Sequence, residues 1–211
     1  MSPVVETVGR KFARIATNIT VRRPRLWRAL RPLMRAQFDN LAPRWDEMRS
    51  GDAMASLEEA LKAIDDSPAR VLDLGTGTGL GAFVVARRFP NAEVLGVDLS
   101  PRMVEEATRK TPPNFVGRVI FQQADASKLP FADGGFDLVT LANMIPFFDE
   151  LARVTAPGGS VAFSFSAGPE TPIWVPPERL RNELSRRGFA DFADFQAEAG
   201  TALLARKREP G

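Results

Sequence analysis

The stretch from Arg70 to Gly81, RVLDLGTGTGLG, limits what this chain can fold into more than any other. Val71, Leu72 and Leu74 form a short apolar run, broken only by Asp73, that stops at Gly75, Gly77, Gly79 and Gly81, after which Ala82 to Phe89 has helical character. That order is a buried strand, a glycine turn and a helix start. Glycines in such a turn admit positive φ and let a ligand approach without meeting a Cβ. The N–H groups of the first helical turn have no intrahelical partner and face the same crevice. The stretch reads as a cradle for a nucleotide-type cofactor.

The acids that follow narrow the cofactor. Counting G-x-G-x-x-G from Gly75 and Gly77 puts Leu80 in the third slot, so the strict dinucleotide pattern fails. Asp98 ends the next apolar run (LGVDLS) and Asp125 the one after it (FQQADAS). A carboxylate at the end of the second strand accepts from two ribose hydroxyls and repels a 2′-phosphate. One after the third can accept from an exocyclic amine such as that of adenine.

In order, DLGTGTG, VD, ADASKLPF, GGFDLVTLAN and LARVTAPGGSVAF resemble the motifs of class I S-adenosylmethionine-dependent methyltransferases, from about Ala69 to the C-terminus. The resemblance implies an α/β fold: a three-layer αβα Rossmann-like seven-stranded sheet, mostly parallel, with an antiparallel C-terminal strand. It implies S-adenosyl-L-methionine as cofactor and a small-molecule acceptor. On it, Gly75, Thr76 and Gly77 contact the methionine part and Asp73 orients its amino group. Asp98 takes the ribose hydroxyls, Leu99 and Met103 sandwich the adenine, Asp125 accepts from its amine and Ala126 offers a backbone N–H. Leu141 borders the cofactor and begins the acceptor side, with Asn143, Ile145 and Phe147 beyond it. Ordinary core packing is the alternative for Leu99, Met103, Ile145 and Phe147. Asn143-Met144-Ile145-Pro146 does not match the Asn-Pro-Pro-Tyr type of signature for amino-nitrogen methylation. What is left is in-line methyl transfer to O, N or C of an apolar or lipophilic acceptor. Asp149, Glu150 and Glu170 are the available bases, and no catalytic residue is assigned.

Composition removes other chemistries. Among 211 residues there is no Cys, His or Tyr, which excludes disulfides, thiolate nucleophiles, histidine bases and His-based metal sites. No apolar run approaches the ~20 residues of a membrane span. A soluble cytoplasmic protein is expected, with the membrane reached only peripherally. The charge is lopsided: residues 1–50 hold 11 Lys/Arg against 4 Asp/Glu, a net +7, leaving residues 51–211 at −5. This divides the chain into a basic N-terminal helical extension, 1–50, and a methyltransferase-like domain, 51–211.

Within the extension, Met1 to about Thr20 carries a weak helical pattern through Phe12, Ile15 and Ile19. RRPRLWRALRPLMR (22–35) then sets Leu26, Trp27, Leu30, Leu33 and Met34 on one helical face and six arginines elsewhere, with Pro24 able to open the helix and Pro32 expected to kink it. Such a helix can cover the fold, lie on an anionic membrane, or bind RNA. FDNLAPRWDEM (38–48) resembles the segment preceding the Rossmann-like domain of ubiquinone and menaquinone C-methyltransferases, which implies that Phe38, Trp45 and Asp46 cover the cofactor site; packing anchors are the other reading. Beyond it, a helix is expected over 52–64. Strands are expected at 70–75, 93–98, 118–123, 136–142 and 160–166, helices at 79–89, 101–110, 147–155 and 177–187, and a hairpin over 189–196 and 201–206. Two rival functions stay open: a cofactor-binding regulatory protein that docks on RNA or membrane without methyl transfer, and an NAD-type oxidoreductase, which Leu80 and the missing His and Tyr disfavour.

Overall fold

A computed structural model of the chain describes residues 3–48 and 51–209. Met1 and Ser2 of the expected first helix, and Arg49 and Ser50 at the expected domain boundary, lie outside the described residues.

The apolar runs become seven strands: β1 (Arg70–Leu74), β2 (Glu93–Asp98), β3 (Val119–Gln123), β4 (Phe136–Ala142), β5 (Thr155–Phe165), β6 (Phe189–Ala197) and β7 (Gly200–Lys207). They form one sheet in the order β3-β2-β1-β4-β5-β7-β6. All neighbours are parallel except β7, which runs antiparallel to β5 and β6. Seven helices accompany them among the described residues: α1 (Pro3–Arg22), α2 (Trp27–Leu41), α3 (Ala55–Lys62), α4 (Leu80–Arg88), α5 (Pro101–Arg109), α6 (Phe148–Val154) and α7 (Pro177–Ser185). Strand side chains alternate faces. Val71, Leu138 and Ala162 join a core with Leu57, Leu61 and α4, while Leu72, Leu74, Val139, Leu141 and Phe163 join the opposite core with α6 and α7.

Expected and observed elements agree closely in the domain. The exception is β5, which starts at Thr155 and not at 160. Pro157-Gly158-Gly159 has the composition of a turn, but the chain absorbs it as an irregularity in the β4 pairing between Phe136 and Leu138. Ser100 caps α5 by accepting from the Met103 N–H at 3.1 Å, with Pro101 at the first helical position.

The extension is more regular than its composition suggests. Pro24 begins a short 3-10 turn, Pro24–Leu26, that leads into α2. Pro32 lies inside α2, which continues to Leu41, so FDNL forms the end of this helix. α1 is fixed to the domain by Arg10 and Arg14 donating to the carbonyls of Glu170 and Pro169 at 3.0 and 2.9 Å, and by Arg179 donating to the Val21 carbonyl at 3.0 Å.

Gly96 in β2 lets the loop after β1 settle on the sheet. A Cβ there would come within 2.6 Å of the Phe121 ring and 2.7 Å of the Thr76 hydroxyl. Gly96→Ala is expected to lower stability by about 1–3 kcal/mol, as overpacking does. A urea melt with an unchanged midpoint would contradict that packing.

Candidate functional site

The strand order reverses beside β1, where β2 and β4 flank it, and ligands of open α/β sheets bind outside the carboxyl ends of strands at such a point. The loop from Gly75 to Gly79 crosses this edge. Gly75 and Gly77 have φ of +66° and +55°, conformations that side chains rarely adopt. They are also close to their neighbours: a Cβ on Gly75 would be 2.8 Å from the Met144 sulfur, and one on Gly77 would be 3.1 Å from the Trp45 ring nitrogen. The floor of the site is therefore backbone.

Asp98, at the end of β2, governs the electrostatics. Its carboxylate accepts from the Gly77 N–H and the Ser100 N–H, each at 2.9 Å. Burial pushes its carboxyl up to about 6; the two N–H donors work against this, and Asp73 and Asp39 reinforce it. Asp73 lies deeper, under the first turn of α4, where a Cβ on Gly81 would be 3.1 Å from both its oxygens. It accepts from Thr140 Oγ1 at 2.7 Å, across the β1–β4 register. A negative group under a helix N-terminus is favourably placed.

The extension closes over this edge. Trp27 Nε1 donates to Asp125 Oδ1 at 3.0 Å, and the Arg31 guanidinium donates to Oδ2 at 3.1 Å. Partial burial pushes the Asp125 carboxyl up, but the N–H and hydroxyl of Ser127, then Arg31 and Trp27, outweigh it and hold the group below its usual range. Further along, Asp39 accepts from the Ser100 hydroxyl at 2.6 Å, and Asp46 accepts from Thr78 at 2.5 Å and Lys110 at 2.7 Å. Phe38 meets Trp45 edge-on at 5.6 Å, and Trp27 meets Phe147 at 5.3 Å.

Two spaces remain on either side of α2. The inner cavity, of about 70 Å³, has Gly75, Asp98 and Met103 on the domain side and Trp27, Phe38 and Trp45 on the other. The outer crevice, of about 640 Å³, is bounded by Arg31, Arg35, Gln123 and Asp125. Both reach Leu99 and Ala124.

Among the residues expected at the site, Gly75, Thr76, Gly77, Asp98, Leu99, Met103 and Ala126 line the inner cavity, as do Phe38, Trp45, Asn143 and Ile145. Asp125 faces the outer crevice, Asp73 is buried beneath α4, and Leu141 and Phe147 are in the core. Asn143 has φ +53° and exchanges hydrogen bonds with Ser166, donating from Nδ2 at 3.0 Å and accepting the Ser166 N–H at 2.9 Å. That bend turns Met144 and Ile145 into the cavity. The candidate bases are elsewhere. Asp149 pairs with Arg187, and Glu150 is held below its usual range by Arg153 and accepts the Leu129 N–H. Glu170 is exposed on the loop that receives Arg10. Met144, which follows Asn143 on the expected acceptor side, Trp27 and Met34 from the apolar stripe, and Ile173, which no sequence signal marks, also line the cavity. The stripe pairing Trp27 with Met34 was visible, but which surface it covers is not a property of the stripe.

Residues 71–159 match the family model described as a methyltransferase domain. A demethylmenaquinone methyltransferase of Thermus thermophilus is 42% identical over 134 residues, covering 58% of this chain and 60% of that protein. A malonyl-[acyl-carrier protein] O-methyltransferase of Halorhodospira halophila is 37% identical over 150 residues, covering 67% of this chain and 50% of that protein. The chain thus spans between half and three-fifths of the length of these curated relatives. Human N-acetylserotonin methyltransferase, solved in complex with SAM, superposes with a TM-score of 0.62 at 21% identity, covering 87% of this chain and 58% of that one, a likeness of fold.

The raised carboxyl can be measured without any ligand. A carbon-detected NMR titration of Asp98 is expected to show a midpoint near 6. A midpoint at the ordinary aspartate value of about 3.9 would contradict the burial derived for it.

Proposed function

We propose, for a chain that carries a class I S-adenosylmethionine-dependent methyltransferase domain, that it transfers the methyl group of S-adenosyl-L-methionine to a small lipophilic acceptor. The observation that carries this reading is Asp98, a strand-end carboxylate beside a floor that has no side chains. The donor set suits the cofactor. Asp98 can accept from ribose hydroxyls, Gly75 to Gly77 present bare backbone that a chain can lie on once Met144 and Trp45, which now rest against it, give way, and Asp125 can accept from an exocyclic amine. When bound, S-adenosylmethionine supplies an electrophilic methyl carbon on a sulfonium whose leaving form is a neutral thioether.

The chain's own contribution is alignment and exclusion of water, which for well-oriented reactants is worth on the order of 7–11 kcal/mol. Phe38, Trp45, Met144, Ile145 and Ile173 give the acceptor side an apolar wall. Among the described residues lining the inner cavity, Asp98 is the ionisable one. With Asp98 assigned to the ribose, the wall offers no proton acceptor, so the acceptor must arrive with its nucleophilic atom already electron-rich. The two relatives are named for demethylmenaquinone and for a malonyl carrier protein. The apolar wall favours an acceptor of the first kind.

A lipophilic acceptor also gives the basic extension a purpose, peripheral contact with an anionic membrane. No helix among the described residues is long and apolar enough to cross a bilayer.

The test is incubation with labelled methyl donor against lipid and aqueous cell extracts. Label is expected in a small organic-soluble product; label only in RNA or protein, or in nothing, contradicts the reading. Asp98→Asn is expected to weaken S-adenosylhomocysteine binding by about 10- to 100-fold, the worth of hydrogen bonds to a charged group. Because the carboxylate must be ionised to accept both hydroxyls, affinity in the unsubstituted protein should level off above about pH 7 and fall as the pH drops through about 6. Calorimetry across pH 5–8 checks this, and a pH-independent affinity would count against Asp98.

A further inference from the structure

α2 is an amphipathic helix whose apolar stripe the domain covers only in part. Trp27 and Met34 are buried against the site and Leu30 is half-buried, whereas Leu33, and Leu26 in the turn that leads into the helix, are 58% and 44% exposed. Around the uncovered half, Arg22, Arg23, Arg25 and Arg28 are exposed and, among the described residues, have no carboxylate within ion-pair distance. The inner half does something different. Trp27 and Arg31 take both oxygens of Asp125, the acid that, on the function proposed above, accepts from the base of the cofactor. The inner cavity is then about 70 Å³, against the roughly 300–1,000 Å³ of ligand pockets, and α2 is the wall between it and the outer crevice.

We propose that α2 has two alternative docks, the cofactor edge of its own domain and the surface of an anionic bilayer, and that moving to the second opens the first. On the domain, the indole N–H takes the place of the base's amine and excludes it. On a bilayer, the whole stripe from Leu26 to Met34 enters the acyl boundary, the free arginines meet lipid phosphates, and Asp125 is vacated. In the Arg31–Asp125 pair the guanidinium is half-exposed although the carboxylate is largely covered, so a lipid phosphate can reach Arg31 and replace its partner. Since the cofactor and the bilayer both select the state in which α2 has left Asp125, each raises the affinity for the other.

The test is calorimetric titration of the full chain with S-adenosylhomocysteine, without vesicles, with phosphatidylcholine vesicles, and with vesicles that also contain phosphatidylglycerol. Anionic vesicles are expected to tighten binding by about 5-fold or more, the lower range of known couplings, and neutral ones to leave it unchanged. Trp27→Phe, which keeps the packing but cannot donate, and Arg31→Gln, at a half-exposed position, are each expected to tighten vesicle-free binding about 2- to 10-fold, the worth of one hydrogen bond. With Arg22, Arg23, Arg25 and Arg28 all changed to Gln, anionic vesicles should have no effect. Equal affinity with and without anionic vesicles overturns the coupling while leaving the methyltransferase reading intact. Equal tightening by heparin or RNA overturns the choice of a bilayer. Failure to bind S-adenosylhomocysteine under every condition, Trp27→Phe included, removes the cofactor reading and this proposal together.

Discussion

A carboxylate with two backbone N–H groups directed at it holds the carboxyl edge of this sheet together. Asp98 ties the loop after β1, through Gly77, to the start of α5, through Ser100. The Gly77 contact requires the backbone to come close: Gly77 is at positive φ with Trp45 against it, and at Gly96 the Phe121 ring and the Thr76 hydroxyl fill the place of a side chain. The result is a pre-formed polar floor, positive from its amides and negative at one carboxylate, and it exists before any ligand arrives. Burial pushes that carboxyl up to about 6, so the floor is mostly charged at neutral pH and about half protonated a unit below it.

The fold is most legible in the sequence where local and global constraints agree. Strand-glycine-helix punctuation, the Ser100-Pro101 cap and the alternating apolar runs each have one conformation that satisfies them, and each forms as expected. β5 extends further than its sequence signals because Pro157-Gly158-Gly159 has turn chemistry, and only the β4 partner draws it into the sheet. Eleven of the expected site and covering residues line the inner cavity; those at strand ends follow from the topology, whereas Phe38 and Trp45 reach it from the N-terminal segment. Asp73 was legible as an acid beside the loop, but its burial under α4 depends on Thr140 and Gly81, which come together only in three dimensions. Asn143 was read as an acceptor-side residue; its left-handed backbone and its amide exchange with Ser166 show a bend that aims Met144 and Ile145.

The N-terminal extension is where sequence reading reached its limit. A stripe of Leu26, Trp27, Leu30, Leu33 and Met34 states that one face seeks an apolar partner, not which one. The structure answers for half of the stripe, burying Trp27 and Met34 and leaving Leu26 and Leu33 outside. Its polar contacts are equally divided, Arg31 turned inward to Asp125 and the arginines nearer the helix start turned outward. Covered and exposed faces are thus two sides of one helix, and the small volume beneath it follows from the first of them.

The central claim, that the Asp98 edge recognises an adenosyl sulfonium, is tested most directly by a crystal structure of the full chain grown with S-adenosylhomocysteine. The account predicts the ribose hydroxyls within hydrogen-bond distance of Asp98, the homocysteine chain along Gly75 to Gly77, the adenine amine on Asp125, and Trp27 withdrawn from that carboxylate. Density for the ligand elsewhere on the molecule, or an unliganded edge with Trp27 still on Asp125, would contradict it.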